Sequence, residues 1–313
     1  MRKITGIMIV MSLLFIQGCA SAETPPLQQT QVALYVQQTI VAADIATLTQ
    51  VAGNPPPTPT QVPALLEATP TQSGLPSAEF EEWMANARIL LYEDAAGASN
   101  RTRWIPSALQ GLDLTYTDTV DRLGTFQSQL SADQEWDLVI YARENRGNEA
   151  GNLFAEIFDK YDQGASVIIE HWNLDDIADT STALTEQMKT CGFTVTGDWF
   201  DRTGYTKLLL YGHNTQNPVH SQPNGDIQLA TYNSVRWLGD IGDLLAINTA
   251  GESQILYGTS ETASDSNGTV LSCNGNRFIL QTHATHQYER DLITRLWENY
   301  IYNALYARYQ FLN

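Results

Sequence analysis

Short apolar runs alternate regularly with amphipathic segments between residues 88 and 192, and this alternation most constrains the fold. The runs lie at 88–92, 112–116, 136–141 and 165–170, and the β-branched residues at 167–169 suit a central strand that is buried on both faces. Helical patterns lie at 101–110, 121–130, 148–161 and 182–189. Because parallel strands need such crossover connections, the sequence predicts a doubly wound, mainly parallel α/β sheet of the flavodoxin-like kind.

The C-terminal part of the chain has a different pattern. Strand-like runs at 207–211, 244–247, 254–257, 269–272 and 278–281 are separated by turns, and Asn274-Gly275 is a strong hairpin signal. A long helical pattern at 289–307 closes the chain. The sequence therefore predicts an antiparallel extension of the sheet, followed by a closing helix.

The first residues predict the compartment. Arg2 and Lys3 precede an apolar run at 4–16 that is too short to span a bilayer comfortably. The run ends in Ile-Gln-Gly-Cys, which resembles a bacterial lipobox. We expect residues 1–18 to be a signal peptide and Cys19 to be lipidated, so that the bilayer is a partner and the protein is extracytoplasmic. The alternative is an ordinary signal peptide that contains a cysteine.

Composition divides the rest of the chain. Residues 19–53 form a stalk rich in Gln, Thr and Ala, and residues 54–77 form a linker rich in Pro and Thr. At about 3.1 Å per residue in polyproline II form, this linker reaches roughly 70 Å. Residues 78–313 are the predicted folded domain. The net charge of −18 argues against a nucleic-acid partner, because phosphate binding needs clustered Lys and Arg.

Polar side chains stand where the predicted strands end. They are Glu93 and Asp94, Arg143 and Glu144, Glu170 and His171, and His283 and His286. Because ligands bind at the carboxyl ends of parallel strands, we expect one cluster at that edge of the sheet. His171, His283, Glu170 and Glu93 are the catalytic candidates, either alone or with a metal. The alternative is that each is structural, for example Glu93 paired with Arg101 or Arg103.

A second interpretation of the same edge is binding without chemistry. Trp172 and Asn173 follow the strand that ends at His171, and an aromatic ring beside an amide suits the faces and hydroxyls of a sugar. Asp94, Arg143, Trp172, Asn173 and His286 are the predicted ligand-binding residues. The ligand would be a glycan or a small molecule, and we expect neither a bound metal nor a cofactor.

Several segments together resemble a known family. They are RILLYED at 88–94, WDLVIY at 136–141, GASVIIEH at 164–171, Asn217-Pro218-Val219, and NGNRFILQTH at 274–283. The domain resembles the class I glutamine amidotransferase-like superfamily, nearest to its ThuA-like branch. The resemblance implies a nucleophilic cysteine on a tight turn after the strand that ends at His171, and a slight link with sugar metabolism.

The cysteines depart from that family pattern. The turn would be Glu170-His171-Trp172, which contains no cysteine, so glutamine hydrolysis by the family mechanism is not expected. Cys191 and Cys273 lie elsewhere, as a disulfide or as two buried thiols.

Three functions follow from these patterns. The first is a lipoprotein whose non-catalytic domain binds a small ligand, a glycan or an envelope partner. The second is a hydrolase, either metal-dependent or not, and the third is a purely structural envelope protein.

Overall fold

The computed structural model describes residues 77–94, 103–144, 152–200, 207–232, 239–248 and 251–313. They belong to a single unit, Gln72–Asn313. The predicted signal peptide, Cys19, the stalk and nearly all of the linker lie outside the described residues. Within the described ranges, every helix is too short or too polar to cross a membrane.

Strands and helices alternate through the first half of the described chain. The elements are α1 (Ala78–Ala85), β1 (Ile89–Asp94), α2 (Ile105–Gly111), β2 (Thr117–Asp118), α3 (Leu123–Ser131), β3 (Leu138–Arg143), α4 (Leu153–Asp162), β4 (Ser166–His171), α5 (Leu174–Ala178) and α6 (Thr182–Cys191). Ser77 begins α1 as its N-cap and accepts a hydrogen bond from the Phe80 amide. Gly192 ends α6 in the left-handed conformation that glycine adopts most easily.

The second half is mostly antiparallel. Its elements are β5 (Phe193–Phe200), β6 (Lys207–Leu209), β7 (Tyr211–Gly212), β8 (Ala230–Tyr232), β9 (Asp240–Ile247), β10 (Gln254–Gly258), β11 (Gly268–Cys273), β12 (Phe278–Gln281) and α7 (Arg290–Leu312). The turn at Asn274-Gly275 joins β11 to β12, as predicted.

Strand order confirms the predicted fold class. The parallel part runs β2-β1-β3-β4-β12, so β4 lies between β3 and β12. β12 then pairs antiparallel with β11, which continues to β10 and β7, while β9 links β11 to β5. β6 and β8 form a separate two-stranded sheet.

Both faces of the parallel sheet are buried. Helices α2 and α7 pack over Leu91, Ile140 and Ile168, and helices α3, α4 and α6 pack over the opposite face, which carries residues such as Val139 and Val167. Burying such a side chain completely stabilises the fold by about 1.5–3 kcal/mol. The buried faces explain why the predicted strands read as continuous apolar runs.

Several predicted elements are wrong in place or were missed. Residues 112–116 are not a strand, and β2 is confined to Thr117–Asp118. The run at 207–211 is interrupted at Leu210, which separates β6 from β7. Strand β5 was missed because exposed Thr and Asp residues interrupt its apolar residues, and its pairing with β9 shifts register next to Gly197. Helix α5 was missed as well.

Cys191 and Cys273 form a disulfide with a Cα–Cα distance of 5.8 Å. It joins the end of α6 to the end of β11 and spans 82 residues of sequence. A bridge of this kind typically stabilises a fold by about 2–4 kcal/mol. Cys273 pairs with Phe278, which pairs with Val167 near the start of β4, so the bridge lies toward the amino ends of the parallel strands.

Candidate functional site

Strand register places the predicted site residues in two rows. Asp94, Arg143 and His171 are aligned across β1, β3 and β4. Glu93 and Glu170 lie one residue earlier and are aligned with Ala142 and Gln281.

Because successive side chains of a strand point to opposite faces, the two rows lie on opposite sides of the sheet. The prediction of one cluster is therefore wrong. His171 is not brought together with Glu93 and Glu170, so the predicted catalytic set is not assembled.

Glu170 is held by three donors in the protein interior. Its carboxylate accepts hydrogen bonds from Gln281 Nε2 at 2.9 Å, from the Thr285 amide at 3.1 Å and from the Thr285 hydroxyl. Burial raises the pKa of Glu170 well above its usual value, the nearby charge of Glu144 raises it further, and the hydrogen bonds from Thr285 oppose this shift. Thr285 was not predicted as a site residue.

Glu144 and His286 form a buried pair. His286 Nδ1 lies 2.6 Å from Glu144 Oε1, and the His286 amide donates to the same oxygen at 2.8 Å. The imidazole ring packs 4.5 Å from the ring of Trp104. Such a carboxylate fixes the orientation of an imidazole, as general bases require.

Glu93 lies beside this pair and is 4% exposed. Arg103 Nε lies 3.0 Å from its carboxylate, and the Trp104 amide donates to it at 3.3 Å. Arg103 also forms a two-point ion pair with Asp118, at 2.6 and 3.0 Å. Burial raises the pKa of Glu93 to about 7, because desolvation outweighs the attraction of Arg103 and His286. The ion pair between Glu93 and Arg103, which the sequence suggested as the alternative to a catalytic role, is therefore present in the structure.

The imidazole ring of His283 contacts Tyr288 and makes no hydrogen bond to Glu93, Glu144 or Glu170 in the described part of the chain. Its imidazole is fully buried against the ring of Tyr288, with the two centroids 5.0 Å apart. Burial lowers the pKa of His283 to about 3, so the ring is neutral.

The row of Asp94, Arg143 and His171 lies on the other face of the sheet. Arg143 Nε lies 3.9 Å from Asp94 Oδ2, and His171 Nδ1 accepts the Asn173 amide at 3.2 Å. The Tyr141 ring is stacked on His171 at 6.4 Å. Asp94 is half-buried, so this row reaches the surface at its outer end.

Trp172 does not offer an open face to a sugar. The side chain is buried, with 1% exposed, and its indole Nε1 donates to the Glu144 carbonyl at 2.8 Å. The prediction that Trp172 presents its ring to a glycan is therefore wrong.

The turn that follows β4 carries no nucleophile. Both cysteines in the described ranges are in the disulfide near the opposite end of the strands. Residues 171–173 also lack the positive φ of a strained nucleophile turn.

One further group of side chains could hold a metal ion. Carboxylate oxygens of Asp175, Asp198 and Asp243 lie within 4.8 Å of one another. Asp243 accepts hydrogen bonds from the amides of Leu174 and Asp175, and burial raises its pKa to about 8. Carboxylate oxygens suit a hard divalent cation. The sequence could not reveal the group, because it depends on the missed strand β5.

Comparisons with known proteins give structural similarity alone. No family model and no curated protein matches the chain. A ThuA-like protein of Bacteroides uniformis has 14% identity and a TM-score of 0.41, covering 69% of this chain and 91% of that one. The glutaminase domain of Trypanosoma brucei CTPS with bound acivicin has 9% identity and a TM-score of 0.41, covering 70% and 93%. A cytoplasmic protein of Salmonella typhimurium has 8% identity and a TM-score of 0.42, covering 69% and 97%.

A ThuA-like protein and a glutaminase domain are thus among the similar structures, but a similarity of this degree assigns no activity to this chain. The fold class rests on the strand order and register described above.

Proposed function

We propose that the chain is a membrane-anchored, extracytoplasmic lipoprotein whose α/β domain is a non-catalytic module that binds a small ligand, a glycan or an envelope partner. The observation that carries this proposal is the engagement of the acids at the carboxyl ends of the strands. Glu93, Glu144 and Glu170 are at most 4% exposed, and the protein's own donors and cations hold each of them. Groups held in this way stabilise the edge of the sheet and are poorly placed to attack a substrate.

The anchor is proposed from the sequence. Cys19 follows an apolar run that is too short to span a bilayer. The Cys191–Cys273 disulfide supports an oxidising compartment, since disulfides persist mainly outside the cytoplasm. The lipid bilayer would then be the first partner of the chain.

Substitution of the proposed acylation site tests the anchor. Cys19→Ser should move the protein from the membrane fraction to the soluble fraction and abolish palmitate labelling, because a serine cannot take the thioether-linked lipid. Ala20→Ser is the matched control and should stay with the membrane. Retention of Cys19→Ser in the membrane fraction would contradict the proposal.

The binding role is tested with the soluble Cys19→Ser chain. Asp94 and Arg143 are the predicted ligand residues nearest the surface, so Arg143→Gln should lose binding to a glycan array or to a small-acid library. Arg88→Gln is the control, because Arg88 precedes β1 at the other end of the strand and pairs with Glu135 and Asp137. Absence of any binding by the parent chain would favour the purely structural envelope protein.

A hydrolase is the second candidate, and Glu93 favours it. A general acid works best with a pKa near the operating pH, and the pKa of Glu93 is raised to about 7 beside the Glu144–His286 pair. In this hypothesis Glu144 orients His286, and Glu93 is the general acid that donates a proton to the substrate. A hydrolytic activity of the parent chain that both Glu93→Gln and His286→Gln abolish would overturn the non-catalytic proposal. Metal analysis of the same samples decides whether an ion is required.

A further inference from the structure

Most polar side chains beneath α7 have hydrogen-bond partners. Gln281 Nε2 donates to Glu170, and Trp297 Nε1 donates to Thr285 Oγ1 at 2.8 Å. The Tyr300 hydroxyl donates to Gln281 Oε1 at 3.2 Å. This region of the core is therefore polar, and its hydrogen bonds are largely satisfied.

His283 and Tyr288 are two neighbouring exceptions beside it. The His283 side chain is 0% exposed and Tyr288 is 4% exposed. Neither ring nitrogen of His283 nor the Tyr288 hydroxyl makes a hydrogen bond within the described part of the chain. The two rings are nonetheless neighbours, with centroids 5.0 Å apart and planes inclined at 65°.

The backbone fixes both residues firmly. His283 follows β12 and forms an isolated antiparallel bridge with Gly242 of β9. Tyr288 directly follows the short helical turn Thr285–Gln287 that leads to α7, and its amide donates to the Thr285 carbonyl at 3.3 Å. Neither side chain can reach solvent without moving one of these elements.

Buried polar atoms without partners are rare, because each forfeits its hydrogen bonds to water. A neutral imidazole carries one donor and one acceptor, and a phenol hydroxyl carries one of each. Two such side chains side by side are most simply satisfied by a molecule that both donates and accepts. A buried water typically makes about three hydrogen bonds of this kind.

We propose that His283 and Tyr288 together bind one small neutral molecule that donates and accepts hydrogen bonds, of the size of a single water. The ligand bridges an imidazole nitrogen and the phenol hydroxyl, and it joins the β9–β12 junction to the start of α7.

Thermal unfolding of the full-length protein tests the bridge. Tyr288→Phe removes only the hydroxyl, and it should lower the Tm by about 2–4 °C if a bound molecule is lost. The loss in His283→Leu/Tyr288→Phe should be smaller than the sum of the two single losses, because both substitutions remove the same ligand. Tyr161→Phe, which removes a direct hydrogen bond with Asn274 near the opposite end of the strands, is the control, and its loss of Tm should add to that of His283→Leu. An unchanged or raised Tm of Tyr288→Phe would overturn the proposal, since deleting an unpaired hydroxyl relieves a burial penalty.

A direct observation decides the matter if a variant fails to fold. A high-resolution crystal structure of the unsubstituted protein should show a density peak within 3.2 Å of both a His283 nitrogen and the Tyr288 hydroxyl, the distance range of a hydrogen bond. A peak bound to only one of the two, or no peak, would overturn the bridge.

Discussion

Glu170 shows how a single residue can be both acidic and structural. Its carboxylate accepts from Gln281 and twice from Thr285, which in turn accepts from the indole of Trp297. The network ties β4 to β12 and to the start of α7. Burial and the charge of Glu144 raise the pKa of Glu170, so its neutral form persists to a higher pH than that of a free glutamate.

Neutral and apolar substitutions of Glu170 should therefore differ. Glu170→Gln keeps an acceptor oxygen for the Thr285 amide, and we expect its free energy of unfolding at pH 7 to stay within about 1 kcal/mol of the parent value. Glu170→Leu leaves the amide and the hydroxyl of Thr285 without the acceptor that Glu170 provides and should cost about 1–3 kcal/mol more, although Gln281 Nε2 still donates to the His283 carbonyl. Urea denaturation measures both. Equal losses in the two variants would show that the hydrogen bonds to Glu170 do not govern stability.

Glu170 also shows why the sequence predicted the location of the site residues but not their grouping. The sequence places Glu170, His171, Glu93 and Asp94 at the end of their strands correctly, because buried parallel strands end where polar residues begin. Residues that are adjacent in a strand cannot share a site on one face, because their side chains alternate and those of Glu170 and His171 point to opposite faces. The sequence-based prediction of one cluster did not take this alternation into account, and the strand register shows its effect.

At the scale of elements, burial decides what can be predicted. β1, β3 and β4 are buried on both faces and read as apolar runs, so their existence follows from the sequence. β5 is half-exposed and irregular, and its partner β9 lies far away in the sequence, between Phe200↔Asp240 at one end of the ladder and Phe193↔Ile247 at the other. The aspartate group of Asp175, Asp198 and Asp243 depends on that ladder, so no local pattern could have revealed it.

Gly242 is the most constrained position in β9. Its φ is 156°, and a Cβ there would lie 1.8 Å from the Thr282 carbonyl oxygen. Gly242→Ala should therefore separate β9 from His283 and lower the free energy of unfolding by at least about 2 kcal/mol. Gly124→Ala in α3 is the matched control, because its Cβ meets nothing within 4 Å and alanine favours a helix. Chemical denaturation of both variants measures the difference, and a Gly242→Ala protein as stable as Gly124→Ala would contradict the close approach.

At the scale of the whole molecule, the net negative charge and the buried acids both reduce the stability of the fold as the pH rises. The chain carries a formal charge of −18, which makes it self-repelling at neutral pH. Burial raises the pKa of Glu93 to about 7 and that of Asp243 to about 8, and it also raises the pKa of Glu170. In the unfolded chain these carboxyls titrate near their ordinary values of about 4.

The protein should consequently be more stable at mildly acidic than at neutral pH. Between about pH 4 and pH 8 the folded state holds more protons on these acids than the unfolded state, so the free energy of unfolding falls as pH rises. The shift of Glu93 alone corresponds to roughly 3 kcal/mol. Urea denaturation at pH 5, 6, 7 and 8 should show this decline, and Glu93→Gln should flatten it because glutamine does not titrate. Glu135→Gln removes an exposed acid with the same change of net charge, so it should leave the slope nearly unchanged. An equal flattening by both substitutions would assign the pH dependence to net charge instead of to the buried carboxyl of Glu93.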